Sequence, residues 1–211
     1  MQAPIVRRGL MLVLSSPSGA GKTTIASQLI KRDECIELSI SCTTREKRKG
    51  EKEGKHYYFV SHDRFLQMRD RGDFLEWAVV FDNLYGTPRK AIEQMLAKGR
   101  DVLFDVDWQG ARKLRKTAKN DVVAVFILPP SAKALEERLE FRAKDPKEVV
   151  YKRMRAASSE ISHWKEYDYI VVNYDIEQSV AAVRAILAAE RLRRSRLIGL
   201  KEFVQNLLAQ L

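Results

Sequence analysis

Ser16-Pro17-Ser18-Gly19-Ala20-Gly21-Lys22-Thr23-Thr24 follows the apolar run Leu10–Leu14 and opens an amphipathic stretch, Lys22–Lys31. Glycines at 19 and 21 let the chain curl so that successive backbone N–H groups point inward, and a helix starting at Lys22 adds the positive end of its dipole. Such a loop cradles an anion. In this chemistry the lysine reaches the β- and γ-phosphates of a nucleoside triphosphate, and the hydroxyl of Thr23 binds Mg²⁺. The pattern GxxxxGK[ST] holds except at its first position, where Ser16 stands in place of glycine. An ordinary glycine-rich strand-to-helix turn is the alternative, and the flanking elements disfavour it.

A phosphate loop does not name a reaction. No NKxD-type guanine-reading tetrad follows, which disfavours a GTPase. Instead a basic stretch, Ser41-Cys42-Thr43-Thr44-Arg45-Glu46-Lys47-Arg48-Lys49-Gly50-Glu51, leads to Gly54-Lys55-His56-Tyr57-Tyr58-Phe59-Val60, Phe74-Leu75-Glu76-Trp77-Ala78 and Tyr85-Gly86-Thr87. Two arginines three positions apart can clamp a dianionic phosphate with forked donors, and tyrosine hydroxyls add neutral ones. Glu76 stands inside an apolar run, where an unpaired carboxylate is costly to bury, which favours a site. Asp105-Val106-Asp107-Trp108-Gln109-Gly110 closes a buried strand, the place where open α/β sheets bind ligands. Asp105 and Asp107 alternate on one strand face, and either could instead cap the helix that follows.

These residues need a scaffold, and the hydrophobic pattern supplies one. Strand-length runs (Leu10–Ser15, Tyr57–Val60, Leu75–Phe81, Val102–Asp107, Val122–Leu128, Tyr169–Val172) alternate with helical patterns at Lys22–Lys31, Pro88–Lys98, Ser131–Arg142, Pro146–Lys165 and Ile176–Arg194. Alternation of this kind predicts an α/β fold with a mainly parallel sheet and helices on both faces. Thr87-Pro88 reads as an N-cap with proline at the first helical position, Gly99 as a helix stop, and Pro129-Pro130-Ser131 as a strand end that caps the next helix. The polar segment from Ser39 to Gly54 interrupts the rhythm and reads as the start of an insertion. A second basic excursion, Arg138 to Arg155, reads as two helices joined by a turn at Asp145-Pro146.

Taken together, these residues resemble the guanylate kinase family, enzymes that phosphorylate GMP with ATP. The resemblance runs from about Leu10 to about Arg196. It is carried by the phosphate loop, Thr43–Glu51, Gly54–Tyr57, Phe74–Ala78, Tyr85–Thr87, Asp105–Gly110, Phe126–Ser131, Arg138–Arg142, Lys152–Met154 and Tyr167–Asn173. It implies a P-loop NTPase-type sheet (core 1–38, 97–137 and 156–211), a small GMP-binding insertion (39–96) and a helical lid (138–155), all in one domain. By the resemblance ATP is held by Ser16–Thr24, Arg138 and Asn173. GMP is held by Ser41, Arg45, Arg48, Tyr57, Glu76, Tyr85, Thr87 and Asp107. Catalysis rests on Lys22, Arg45, Arg142 and Arg153, with Mg²⁺ on Thr23 and its waters on Asp105 or Asp107. The chemistry fits independently: a carboxylate such as Glu76 accepts both guanine N1–H and the exocyclic NH₂, whereas adenine offers a lone pair at N1. Two departures from the family stand out, Ala143 where glycine is usual and Tyr174 where an acidic residue is usual.

Composition sets the remaining bounds. The chain has 211 residues, 45% apolar and 31% charged, with a formal net charge of +10, which excludes disordered, collagen-like and disulfide-scaffold classes. Its longest apolar run is far short of the roughly 20 residues that cross a bilayer. Arg7-Arg8 before Gly9–Leu14 mimics a secretory signal, but that stretch is short and runs into the phosphate loop, so it reads as the first strand. Cys35 and Cys42, without metal-ligand spacing, read as reduced thiols in a cytoplasmic protein, and His56, His62 and His163 as structural or surface residues. Basic residues concentrate in Arg45–Lys55 and Lys133–Arg155, which suit bound nucleotides. They also concentrate in Arg184–Lys201, expected to be a docked helix with a solvated basic face. Nucleotides are the expected partners, without nucleic acid or membrane; a homo-oligomer is left open. Two other classes fit less well. A non-catalytic interaction module tends to lose the loop lysine, which is present here, and a nucleic-acid-associated ATPase rests on charge alone.

Overall fold

A computed structural model describes the backbone of residues 5–80, 82–143 and 147–211, with side chains 142–150 outside the description. In chain order the elements are β1 (Val6–Arg7), β2 (Met11–Ser15), α1 (Lys22–Arg32), β3 (Ile36–Leu38), β4 (Cys42–Thr43), β5 (Tyr58–Phe59), α2 (His62–Asp70), β6 (Phe74–Val80) and β7 (Asn83–Pro88). Then come α3 (Arg89–Ala97), β8 (Asp101–Asp105), α4 (Trp108–Thr117), β9 (Val122–Leu128), α5 (Ala132–Ala143), α6 (Lys147–Ser162), β10 (Tyr169–Val172), α7 (Ile176–Arg191), β11 (Leu197–Ile198) and α8 (Leu200–Leu208).

The central sheet has five strands in the order β10-β9-β2-β8-β3, every pair parallel. All five residues of β2 are buried. An unbroken apolar run is what a parallel strand covered on both faces requires. Alternate residues separate the two cores: Leu12 and Leu14 pack with α1 and α7 through Ile25, Leu29, Val180 and Val183, while Met11 and Val13 pack with α3 and α4 through Ile92, Leu96 and Leu114.

The insertion builds its own four-stranded sheet, β5-β4-β7-β6. Phe65 and Phe74 stack 4.5 Å apart in its core, beside Cys42 and Leu84. Leu75 on β6 joins the α3–α4 core, and Lys113 Nζ on α4 donates to the Trp77 carbonyl at 2.8 Å, so this sheet is tied to the main one.

Several expectations are corrected. The strand predicted over Val102–Asp107 ends at Asp105, because Asp107 turns to cap α4 and accepts the Gly110 N–H at 2.8 Å. Asp105 and Asp107 therefore do not share a strand face. Thr87 is not an N-cap: it stays in β7, Pro88 holds the cap position, and the Thr87 hydroxyl is engaged by Glu76. The polar segment 39–54 contains β4, whose pairing to β5 and β7 comes from residues far apart in sequence. Part of the expected strand Leu75–Phe81 and the Asp145-Pro146 turn lie outside the described residues.

The basic tail is a docked helix only as far as Arg191, and although Arg184, Arg193, Arg194 and Lys201 are exposed as expected, two of its cations turn inward. Arg191 pairs with Asp33 and with Asp101, which is fully buried and also paired with Arg7. Arg196, only 3% exposed, pairs with Glu190. These cations stabilise the seam where β1, β11 and the end of α7 meet the main sheet, and α8 lies exposed along the surface.

Candidate functional site

The phosphate loop leaves the C-terminal end of β2 and feeds α1. Gly21 holds φ of 101°, a left-handed conformation that glycine tolerates, at the position preceding Lys22. A Cβ there would stand 2.4 Å from Asn173 Nδ2. Asn173, at the end of β10 and 1% exposed, braces the loop from below: its amide donates to the Ala20 carbonyl at 2.8 Å and its carbonyl accepts the Ser179 hydroxyl at 2.9 Å. Both polar atoms of Asn173 are thus engaged by protein groups. Gly19, with φ of 90°, sits against Leu135 and Leu139 of α5, where a Cβ would be 3.1 Å from each.

Around the loop lies a cavity of about 690 Å³. Ser16, Pro17, Ser18, Gly19, Gly21, Lys22, Thr23 and Thr24 line it together with Asp107, Arg138, Asn173, Glu160 and Ile176. Lys22 Nζ is ion-paired to Asp105 at the end of β8. Arg138 on α5 donates to the Asn173 carbonyl at 3.2 Å through one nitrogen, and its buried Nη1 has no partner among the described residues. Arg153 lies on α6, partly buried and outside this lining, and the Arg142 side chain lies outside the described residues. A larger cavity, about 1220 Å³, is lined by Val122 and Tyr169 at the opposite ends of the strands and carries none of the loop chemistry.

In the insertion sheet Arg45, Tyr57 and Tyr85 come together. The Arg45 guanidinium lies 5.5 Å from the Tyr57 ring centroid, and the Tyr57 and Tyr85 rings meet edge to face at 5.8 Å. Glu51 organises this group: it accepts from Arg45 Nη2 at 2.6 Å and from the Arg48 backbone N–H at 2.8 Å, and Arg45 holds its carboxyl below the usual range. The Arg48 side chain is exposed on the same turn. Ser41 is partly buried just before β4, its carbonyl accepting the Tyr58 N–H at 2.9 Å.

Glu76 and Thr87 meet across β6 and β7, the Thr87 hydroxyl donating to Glu76 Oε1 at 2.7 Å. The pair continues the Trp77–Gly86 register, and the ladder is irregular between Phe74 and Trp77. Burial pushes the Glu76 carboxyl up, against the Thr87 hydrogen bond and the charge of Lys113, while Asp107 raises it further. Gly86 explains the Tyr-Gly-Thr spacing: a Cβ would press 2.9 Å from the Phe74 ring, so only glycine lets β7 lie on the aromatic core while Tyr85 and Thr87 face the other way. Asp107 lines the phosphate cavity and also acts electrostatically on Glu76, which makes it the link between the two groups.

The family model for guanylate kinase matches residues 8–190. The chain belongs to the guanylate kinase family. It is 58% identical to a guanylate kinase of Paramagnetospirillum magneticum across 96% of this chain and 95% of that one. To a guanylate kinase of Rhodopseudomonas palustris it is 59% identical, across 97% and 94%. Its fold superposes on the crystal structure of guanylate kinase from Anaplasma phagocytophilum with a TM-score of 0.73, at 41% identity over 96% of each chain. The family phosphorylates GMP using ATP, and this chain is an enzyme of that family.

Sequence reasoning passed over Glu51, Ser179 and Glu160. Glu51 closes the Thr43–Glu51 motif, but spacing gives no sign of its bonds to the Arg45 guanidinium and the Arg48 N–H. Glu160 carries no spacing signal, since on an amphipathic helix it is indistinguishable from a surface acid; only the packing of α6 against the loop brings it to the cavity.

Proposed function

We propose that the chain transfers the γ-phosphoryl group of ATP directly, in line, to the phosphate of GMP or dGMP, with Mg²⁺, in purine nucleotide metabolism of the cytoplasm. The observation that carries this reading is the pairing of a lysine-bearing phosphate cradle with a buried Glu76–Thr87 couple, both in reach of Asp107. Phosphoryl transfer asks for positioning and neutralisation more than for a strong base, because the acceptor phosphate is already ionised.

The donor phosphates lie in the Ser16–Thr24 loop, with Lys22 leaving Asp105 for the transferred group and Arg138 Nη1 supplying the donor that now lacks a partner. Asn173 serves ATP by holding Ala20 in place rather than by touching the base. The acceptor phosphate is held by Arg45, Arg48, Tyr57 and Tyr85. Guanine is read by Ser41, Glu76 and Thr87, the ionised carboxylate accepting from both base donors. The lid, 138–155, brings Arg142 and Arg153 over the transferred group and excludes water.

Thr23, Asp105 and Asp107 offer hard oxygen donors suited to Mg²⁺. Among the described residues no cluster of three or more histidine, cysteine or acidic side chains forms a metal cage, which fits an ion held mainly by nucleotide phosphates and water. When bound, that ion supplies neutralisation of the phosphate charge. No helix among the described residues is long and apolar enough to cross a membrane.

The test is a coupled ADP-release assay with ATP and each of GMP, dGMP, AMP, CMP and UMP, beside Lys22→Ala and Glu76→Ala. GMP should exceed AMP by about 10⁴-fold in kcat/KM, Lys22→Ala should abolish turnover, and Glu76→Ala should erase most of the base preference. Turnover of AMP without turnover of GMP refutes the reading.

A further inference from the structure

The chain carries a net charge of +10, yet the described side chains that line the cavity around its phosphate loop sum to no formal net charge. Among the ionisable side chains that line it, Lys22 and Arg138 are balanced by Asp107 and Glu160, and Lys22 is already paired to Asp105. Asp105 and Asp107 have places in the proposed reaction. Glu160 has none, and it is the residue whose position calls for an explanation.

Glu160 lies near the end of α6, half-buried, on the wall of the cavity. Its Oε2 is buried without a hydrogen-bond partner among the described residues. Burial, helped by Asp107, pushes its carboxyl above the usual carboxylate range, against the Ser18 N–H, one of the loop donors, and the Lys22 charge. A carboxylate among donors that serve phosphate repels a polyphosphate anion, and repulsion is strong where protein displaces water. A nucleoside triphosphate loses part of its charge to a divalent cation, so the same carboxylate opposes the metal complex far less. Arg138 Nη1, another unpartnered buried group of this cavity, has the opposite sign and attracts both forms, the bare one more strongly, so discrimination against the bare form has to come from a carboxylate.

Resting on the ATP-dependent reading above, we infer that Glu160 is a specificity-determining residue of the donor site: from the cavity wall it selects the metal-complexed nucleoside triphosphate over the bare one. The inference concerns binding and does not require Glu160 to touch the reacting atoms.

The experiment measures calorimetric affinity for ATP in excess Mg²⁺ and for ATP in excess EDTA, on the whole chain, for the parent, Glu160→Gln and Glu160→Asp. The parent should prefer the Mg²⁺ complex. Glu160→Gln should bind metal-free ATP about tenfold more tightly while its affinity for the Mg²⁺ complex changes less than threefold, and Glu160→Asp, which keeps the charge, should preserve most of the parent preference. Should Glu160→Gln fail to fold, Glu160→Ala removes the same charge and faces the same criterion. An equal gain in both forms, no change in either, or a loss of affinity for the Mg²⁺ complex greater than about threefold overturns the inference. A parent that binds neither form of ATP overturns the functional reading itself, a result distinct from all three.

Discussion

Replacing Asn173 with alanine separates two roles that the residue's place beside the phosphate loop would otherwise confound. The substitution deletes a donor to the Ala20 carbonyl at 2.8 Å and an acceptor for the Ser179 hydroxyl at 2.9 Å, at a residue 1% exposed. Two hydrogen bonds at about 1 kcal/mol each, plus the cost of leaving a buried partner unsatisfied, give a loss of about 3 kcal/mol. For a chain of this size that lowers Tm by roughly 6–12 °C. The loop loses its brace as well, so KM for ATP should rise about tenfold while KM for GMP changes little. Asn173→Asp should be worse than its near-identical shape suggests. One oxygen can still accept from Ser179, but the other faces the Ala20 carbonyl with no proton between them and adds a buried negative charge beside the phosphates. Differential scanning calorimetry with steady-state kinetics on both substrates decides the matter. A Tm for Asn173→Ala within about 1 °C of the parent, with a raised KM for ATP, would show that Asn173 contacts nucleotide and is not a brace, and would refute the reasoning.

Three further outcomes follow from particular contacts. Glu51→Gln removes the charge that holds Arg45 at 2.6 Å and should raise KM for GMP about tenfold with kcat and KM for ATP nearly unchanged, since the arginine must then be ordered by the substrate; equal effects on both substrates would contradict this. Glu166, held down to about 2 by Arg112, is protonated in the unfolded chain near 4.5, so its contribution to stability is complete above that pH and is lost as pH falls toward 2. Urea titrations of Glu166→Gln against the parent should therefore differ at pH 7 and converge near pH 2. Asp101→Asn leaves Arg7 and Arg191 facing a neutral group in a fully buried site and should cost about 3–5 kcal/mol in chemical denaturation; a loss below about 1 kcal/mol would mean that this network contributes little.

How far the site was legible varied with the range of the interactions that build it. The phosphate loop itself is legible because its chemistry is local: glycines, lysine and threonine act within one turn, and the buried strand before them declares itself by an unbroken apolar run. The acceptor residues were legible as types but not as a group. Arg45, Tyr57 and Tyr85 converge only because β4 pairs with both β5 and β7, and a two-residue strand in a polar segment leaves no periodicity to detect. For Asp107 spacing left two readings open, a strand face or a helix cap, and the structure makes it the cap; the two differ by one backbone rotation that sequence spacing does not record.

The amino-acid sequence by itself determined the parallel α/β layering, the anion cradle and the inventory of forked donors and carboxylates, because hydrophobic period, glycine placement and side-chain chemistry act at short range. Tertiary structure alone decided how that inventory is spent. It turned Arg191 and Arg196 of the basic tail inward onto Asp101 and Glu190, placed Asn173 beneath the loop, and set Glu160 against it, so that the described lining of the phosphate cavity is formally neutral in a strongly basic chain. The physical reason is that a charge acquires its role from the partner and the dielectric around it, and both are supplied by residues distant in the chain.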